Sequence, residues 1–144
     1  MPLRVKSAML ADAATVADGK LYVHGGQWDT IGTNALPLRH SAMSIVLVVE
    51  VPYNEAHKPH HIEILLELDG EVADTPRIMI SNVRPGHPPV SSPGAPVFVS
   101  LAIPIHNLEL HEAGRYDWLV KIDDELAERI PMALLVLPQP LAPS

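Results

Sequence analysis

The stretch Gly114-Arg-Tyr-Asp-Trp-Leu-Val-Lys-Ile-Asp123 decides the fold class of this chain. Its apolar side chains fall on alternate positions, at Tyr116, Trp118, Val120 and Ile122, and charged side chains occupy most of the positions between them. Period-two alternation indicates a β-strand with one buried face. Aromatic and β-branched side chains of this kind fill the space between two packed sheets. The stretch predicts one strand of a β-sandwich, and it carries no chemistry of its own.

A second stretch, from His61 to Asp69, alternates in the same way, with isoleucine and leucine on one face and histidine and glutamate on the other. The dipeptide Asp69-Gly70 is a hairpin signal, so the segment from Glu71 to Ser81 is expected to return antiparallel, with a break near Pro76. These two stretches therefore predict neighbouring inward faces of the same core.

Two leucines break the alternation, because Leu65 and Leu119 each place a large apolar side chain on the otherwise polar face. A large apolar surface exposed on a single domain is typical of a site that contacts another molecule. We therefore predict that these leucines, together with Trp28 after the bend at Gly25-Gly26, belong to an interface. A second copy of the chain is the simplest cover.

Turn signals and prolines divide the rest of the chain into short segments. Further strands are predicted at about 5–11, 20–25, 42–51, 97–105 and 129–137, and helical spacing predicts a short helical turn at 9–16. About eight strands in 144 residues predict an all-β, single-domain antiparallel β-sandwich, immunoglobulin-like or jelly-roll in topology. The domain is expected over residues 1–137, with a proline-rich C-terminal tail at 138–144. The loop at 82–96 is long enough to be either mobile or functional.

Composition bounds the function classes. A net charge of −7, with ten scattered basic residues, excludes a nucleic-acid partner at this stage. The absence of cysteine excludes disulfides, thiol catalysis and thiolate metal sites. No signal peptide and no apolar run of the ~20 residues that span a bilayer is found, so a cytoplasmic location and no membrane partner are expected.

The strongest candidate for a metal site is the histidine cluster that precedes the second alternating strand. His57, His60, His61 and Glu63 offer imidazole and carboxylate ligands of the kind that jelly-roll enzymes use. The cupin pattern also needs a His-x-His element, which is missing here. The alternative is a solvated loop that leads into a strand. The acidic turn at 123–128 is likewise expected to be solvated, since its spacing fits no calcium loop.

No nucleophile elbow, phosphate-binding loop or dinucleotide fingerprint is present, so no catalytic residue and no cofactor are predicted. Three functions stay open. The first is a non-catalytic binding or assembly module whose partner is a second copy or another protein. The second is a metal-dependent jelly-roll enzyme that uses the histidine cluster. The third is a carbohydrate or small-ligand binding domain with Trp28 exposed.

Four motifs resemble those of a family of uncharacterised bacterial all-β proteins, a domain of unknown function. They are Met9-Leu-Ala-Asp-Ala-Ala14, Asp18-Gly-Lys-Leu-Tyr-Val-His-Gly-Gly-Gln-Trp-Asp29, Val51-Pro-Tyr-Asn-Glu-Ala56 and Gly114-Arg-Tyr-Asp-Trp118. The resemblance spans about residues 6 to 136. It implies a compact all-β bacterial domain, and it implies no activity, cofactor or site residue.

Overall fold

A computed structural model of the chain describes residues 2–87 and 92–138, and it confirms an all-β sandwich of two sheets. The expected segment 138–144 lies outside the described residues except for its first residue, as do residues 88–91 of the long loop. In chain order the elements are β1 (Arg4–Ala17), β2 (Lys20–Trp28), β3 (Thr30–Thr33), β4 (Leu38–Val51), a 3₁₀ turn (Tyr53–Glu55), β5 (His60–Leu68), β6 (Glu71–Val83), β7 (Val97–Leu110), β8 (Gly114–Ile122) and β9 (Glu125–Val136).

The strands form a four-stranded sheet with the order β2-β1-β4-β7 and a five-stranded sheet with the order β3-β9-β8-β5-β6. All pairs are antiparallel except β3 with β9. The two strands with the clearest alternation, β5 and β8, are direct neighbours, and Leu66 lies opposite Trp118. Their inward faces form one wall of the core, as the sequence predicts.

Trp118 lies in the core, and its side chain is fully buried. Isoleucines, valines and leucines of both sheets surround it, which compensates for an aromatic content of only 4%. Burying a side chain of this size removes a large apolar area from water and contributes several kcal/mol at about 25 cal/mol per Å². The Trp118 prediction is confirmed.

The predicted helical turn at 9–16 is wrong, because these residues belong to the long strand β1. Alanine and methionine are good helix formers, but here β1 is paired on both sides. Leu10 lies opposite Ile45 of β4, and Ala13 lies opposite His24 of β2. Tertiary pairing overrides a weak local preference.

Three hairpins close on two-residue turns in which both residues have positive φ. Two of these turns use Asp-Gly pairs, one at 18–19 and one at 69–70 as expected, and the third uses Asp123-Asp124. Type I′ turns need this left-handed backbone, which glycine adopts without strain and aspartate tolerates. In the third turn Asp124 occupies the position that glycine occupies in the other two. The carboxylates of Asp123 and Asp124 both contact histidines.

Candidate functional site

The histidine loop lies at one end of the sandwich, where the segment between β4 and β5 meets the β8–β9 turn. His60 is buried, with 5% of its surface exposed. Its Nδ1 lies 2.7 Å from Oδ2 of Asp123, and its Nε2 lies 2.8 Å from the carbonyl oxygen of Glu55. A carboxylate and a carbonyl both accept hydrogen bonds, so both ring nitrogens donate and His60 is an imidazolium.

The electrostatics of the site agree with this assignment. Burial alone would lower the pKa of His60, but the hydrogen bonds to Asp123 and Glu55 and the negative charges of both residues outweigh burial, so the pKa is raised. Burial would raise the pKa of Asp123, but its hydrogen bonds with His60 and the backbone N–H of His61 dominate, so that pKa is lowered. Both shifts favour the charged forms of the two side chains.

His61 extends the same cluster toward solvent. Its Nε2 lies 3.0 Å from Oδ1 of Asp124, and this hydrogen bond is the main cause that raises the pKa of His61. A cavity of 360 Å³ opens beside the cluster, with Glu55, His60, Asp123 and Glu125 among its lining residues. The acidic turn is thus partly built into the histidine cluster. No local sequence pattern reveals this contact, because its partners are more than 60 residues apart in the chain.

His57 has a different contact, and its Nε2 lies 2.8 Å from Nδ1 of His87. The Nε2 of His87 in turn lies 2.7 Å from the carbonyl oxygen of Tyr53, and the rings of Tyr53 and His87 stack at a centroid distance of 4.0 Å. His87 lies in the long loop and outside the histidine cluster of the sequence, so no sequence pattern marks it as a partner of His57. The fold brings His57 and His87 together, although 30 positions separate them in the sequence.

The four residues of the predicted metal cluster are therefore not brought together. Glu63 lies on the outer face of the five-stranded sheet, where it accepts a hydrogen bond of 2.9 Å from Nη2 of Arg77. His60 and His61 both contact Asp123, whereas His57 contacts His87. Among residues 2–87 and 92–138, no three His, Asp or Glu side chains are placed to hold one metal ion.

The predicted interface leucines are buried within the domain. Leu65 and Leu119 lie opposite each other on the outer face of β5 and β8, with exposures of 6% and 5%. Arg77 of β6 is the other neighbour of Leu65, and Arg129 of β9 is the other neighbour of Leu119. Directly opposite residues share a face, so each leucine is flanked by an arginine stem, and such stems cover apolar surface.

Ion pairs hold these arginines in place. Arg77 pairs with Glu63, and Arg129 pairs with Glu67 at 2.8 Å and with Asp117 at 3.5 Å. We call Arg77, Leu65, Leu119 and Arg129 the outer row. Its apolar part is covered by the chain itself.

Trp28 is half-buried and packs against the core, and its ring meets that of His40 edge-on at 6.1 Å. The Nε1 of Trp28 and the Nε2 of His40 are buried and have no hydrogen-bond partner within the described parts of the chain. Trp28 therefore offers little open ring surface for stacking on a sugar.

Within residues 2–87 and 92–138, the longest run of consecutive exposed large apolar side chains lies at the β3 edge of the five-stranded sheet, where β9 ends. Leu135, Val136 and Leu137 follow each other with exposures of 49%, 48% and 47%. The side chain of Leu137 lies over Gly32, where an added Cβ would come within 2.7 Å of it. We call Leu135–Leu137 together with β3 the β3–β9 rim.

The free edge of β3 belongs to this rim. Ala133 N–H donates to the carbonyl of Asp29, and Leu137 N–H donates to that of Thr33. Backbone direction alternates along a strand, so Thr30 and Gly32 direct their N–H and C=O groups away from the sheet. In the part of the chain that is described, no helix is long and apolar enough to cross a bilayer.

Comparison with known proteins adds a structural similarity and a family. No curated protein matches the chain. One similar solved structure is that of the Pseudomonas fluorescens alkylpurine DNA glycosylase AlkC bound to DNA containing an abasic site analog, with 11% identity and a TM-score of 0.44. The match covers 92% of this chain but only 30% of the glycosylase chain.

This finding contradicts the prediction that excluded nucleic acid as a partner, and that exclusion is withdrawn. A net charge of −7 describes the whole chain and does not decide what one face of it contacts. Similarity at this level supports no statement on what this chain binds.

The resemblance noted in the sequence is confirmed over almost the whole domain. A family model matches residues 6–135, from the third residue of β1 to the penultimate residue of β9. The chain belongs to DUF6941, a family of unknown function.

Proposed function

We propose that this protein is a non-catalytic assembly module that pairs with a second copy of itself through the β3–β9 rim. The observation that carries the proposal is the run of three half-exposed apolar side chains beside an uncharged free strand edge. Exposed apolar surface of this kind is typical of protein interaction sites.

The other sheet edges carry features that discourage pairing. The strand β6 contains Pro76 and Arg77, β7 contains Pro104, and β2 is bent at Gly25 and Gln27, both with positive φ. Proline, charge and bulges are the devices by which proteins block edge-to-edge association. The strand β3, Thr-Ile-Gly-Thr, has only its short length of four residues.

A second copy is the occupant that the charges favour. Each chain carries −7, so two copies meet most easily where neither presents charge. A twofold axis beside β3 would pair the two β3 edges antiparallel and bring Leu137, whose side chain lies over Gly32, close to β3 of the second copy. Four residues of edge and three side chains cover less than the roughly 800 Å² per partner of a standard interface, so we expect a weak dimer with a Kd on the order of micromolar.

Sedimentation velocity over a concentration series from micromolar to several hundred micromolar tests the proposal. Wild type is expected to shift from monomer to dimer, and Leu135→Asp is expected to stay monomeric. Val72→Asp is the matched control, because Val72 is 50% exposed on β6 of the same sheet, away from the rim. A wild type that stays monomeric throughout, or a Leu135→Asp variant that dimerises as wild type does, would reject the proposal.

A further inference from the structure

Contacts with the core and with Tyr53 hold the segments that carry His57 and His87. The backbone N–H of Gly86 donates to the carbonyl of Ala56 at 2.8 Å, and Ala56 is fully buried. His87 is fixed by the stacked ring of Tyr53 and by its hydrogen bond to the Tyr53 carbonyl. The two imidazoles thus lie on segments that are tied to each other and to the core.

The hydrogen bonds determine which nitrogen atoms are free. Because Nε2 of His87 faces a carbonyl oxygen, it must carry the proton. In the neutral ring, Nδ1 of His87 then has a lone pair directed at Nε2 of His57, 2.8 Å away. A backbone carbonyl that accepts from the distal nitrogen is the arrangement that orients histidines which bind metals.

We propose that Nε2 of His57 and Nδ1 of His87 together bind a divalent transition-metal ion, with Cu²⁺ preferred. Two nitrogen ligands at about 2.0 Å from one ion are separated by about 2.8 Å when the angle at the ion is close to 90°. That angle belongs to the tetragonal geometry of Cu²⁺ and Ni²⁺, whereas tetrahedral Zn²⁺ needs a wider separation.

Binding needs only a local rearrangement. The neutral His57 moves its proton from Nε2 to Nδ1, which frees the Nε2 lone pair, and its exposed ring rotates so that both lone pairs converge. No net proton is released from the neutral pair. Water occupies the remaining positions, because the described residues offer no third His, Asp or Glu at this point. The site is therefore open and exchangeable.

This site differs from the cluster that the sequence predicts. It keeps His57, replaces His60, His61 and Glu63 by His87, and leaves the His60–Asp123 pair undisturbed. The inference is also independent of the dimer, since none of its residues belongs to the β3–β9 rim.

Titration of untagged protein with CuCl₂, followed by calorimetry and electron paramagnetic resonance, tests the inference. Wild type is expected to bind one Cu²⁺ with nitrogen hyperfine structure from two imidazoles. The variants His57→Gln and His87→Gln are each expected to bind at least tenfold more weakly, with at most one imidazole coordinated. Bound Cu²⁺ is also expected to raise the Tm of wild type and to raise it less in either variant.

The control is His106→Gln, which removes an exposed histidine of β7 that lies opposite Ala42, toward the other end of β4 from the loop that holds His57. This variant is expected to bind Cu²⁺ as wild type does. Equal affinity and equal spectra in wild type and His87→Gln would overturn the inference, as would the absence of stoichiometric binding to wild type. In that case the contact is only a hydrogen bond between two loops.

Discussion

At the scale of single residues, the fold shifts the pKa values of His60 and of its partner Asp123 in opposite directions. Histidine has a pKa of 6.5 in the unfolded chain, and folding raises the pKa of His60. The stability that this shift provides is fully present below pH 6.5 and is lost as pH rises through the folded pKa. The stability from the lowered Asp123 pKa is fully present above 3.8 and is lost as pH falls through its folded pKa. The His60–Asp123 pair therefore stabilises the fold most between pH 3.8 and pH 6.5.

The variant Asp123→Asn removes the charge and keeps the shape. Asparagine tolerates the φ of 51° at this position, and its side-chain oxygen can still accept from the His61 N–H. His60 then loses its acceptor at Nδ1, so its pKa falls. Between pH 3.8 and pH 6.5 we expect Asp123→Asn to lower the unfolding free energy by a value on the order of 1 kcal/mol. The loss is small because the Asp123 side chain is 42% exposed and solvent screens the ion pair.

NMR titration of the His60 ring and urea unfolding as a function of pH measure these two quantities. The difference in stability between wild type and Asp123→Asn should shrink as pH rises above 6.5 through the wild-type pKa of His60. A difference that grows with pH, or a His60 pKa unchanged by the substitution, would show that His60 is not an imidazolium held by Asp123.

At the scale of strands, the outer row reverses what alternation alone predicts for Leu119. A break in the polar face of β8 predicts an open apolar contact, but the side chain is 5% exposed inside the domain. Leu119→Asp is therefore expected to lower the unfolding free energy of the monomer by about 2 kcal/mol or more, because it buries a charge. Trp118→Ala is expected to cost about 3–5 kcal/mol.

Urea unfolding at low protein concentration measures both losses without interference from association. Val72→Asp again serves as the control, since an aspartate at a 50% exposed position of the same sheet should change stability by less than about 0.5 kcal/mol. If Leu119→Asp were as mild as this control, the outer row would not cover Leu119.

Strands with strict alternation could be predicted, and strands without it could not. The predicted strands at 61–69 and 114–123 became β5 and β8 almost residue for residue. Pro104 lies inside β7, which is an edge strand, the position in a sheet where proline is tolerated. Residues 9–16 show no period of two, so β1 could be recognised only through its partners. Proline lacks the N–H that a central strand donates, yet Pro131 lies inside β9. It is tolerated because β3 does not extend to this position, where only β8 pairs with β9.

At the scale of the whole molecule, the candidate sites depend on contacts that no local pattern contains. The His60–Asp123 pair joins β5 to a turn 63 residues later, and His57 meets His87 across 30 residues. The sequence showed that histidines were clustered, but only strand order shows which of them converge. The β3–β9 rim was hidden for a related reason, since β3 is too short to alternate visibly and its pairing with β9 is parallel.

The chemistry of the proposed dimer makes a prediction about ionic strength that distinguishes it from other modes of association. Two copies that each carry −7 repel each other, and the rim offers apolar side chains and backbone groups rather than ion pairs. Salt screens the repulsion over a Debye length of about 10 Å at 0.1 M and leaves apolar contact intact. The dimer should therefore tighten severalfold when salt is raised from low to moderate concentration, as measured by sedimentation equilibrium. An interface built from ion pairs, such as those of the outer row, would weaken under the same change, and that result would move the interface away from the rim.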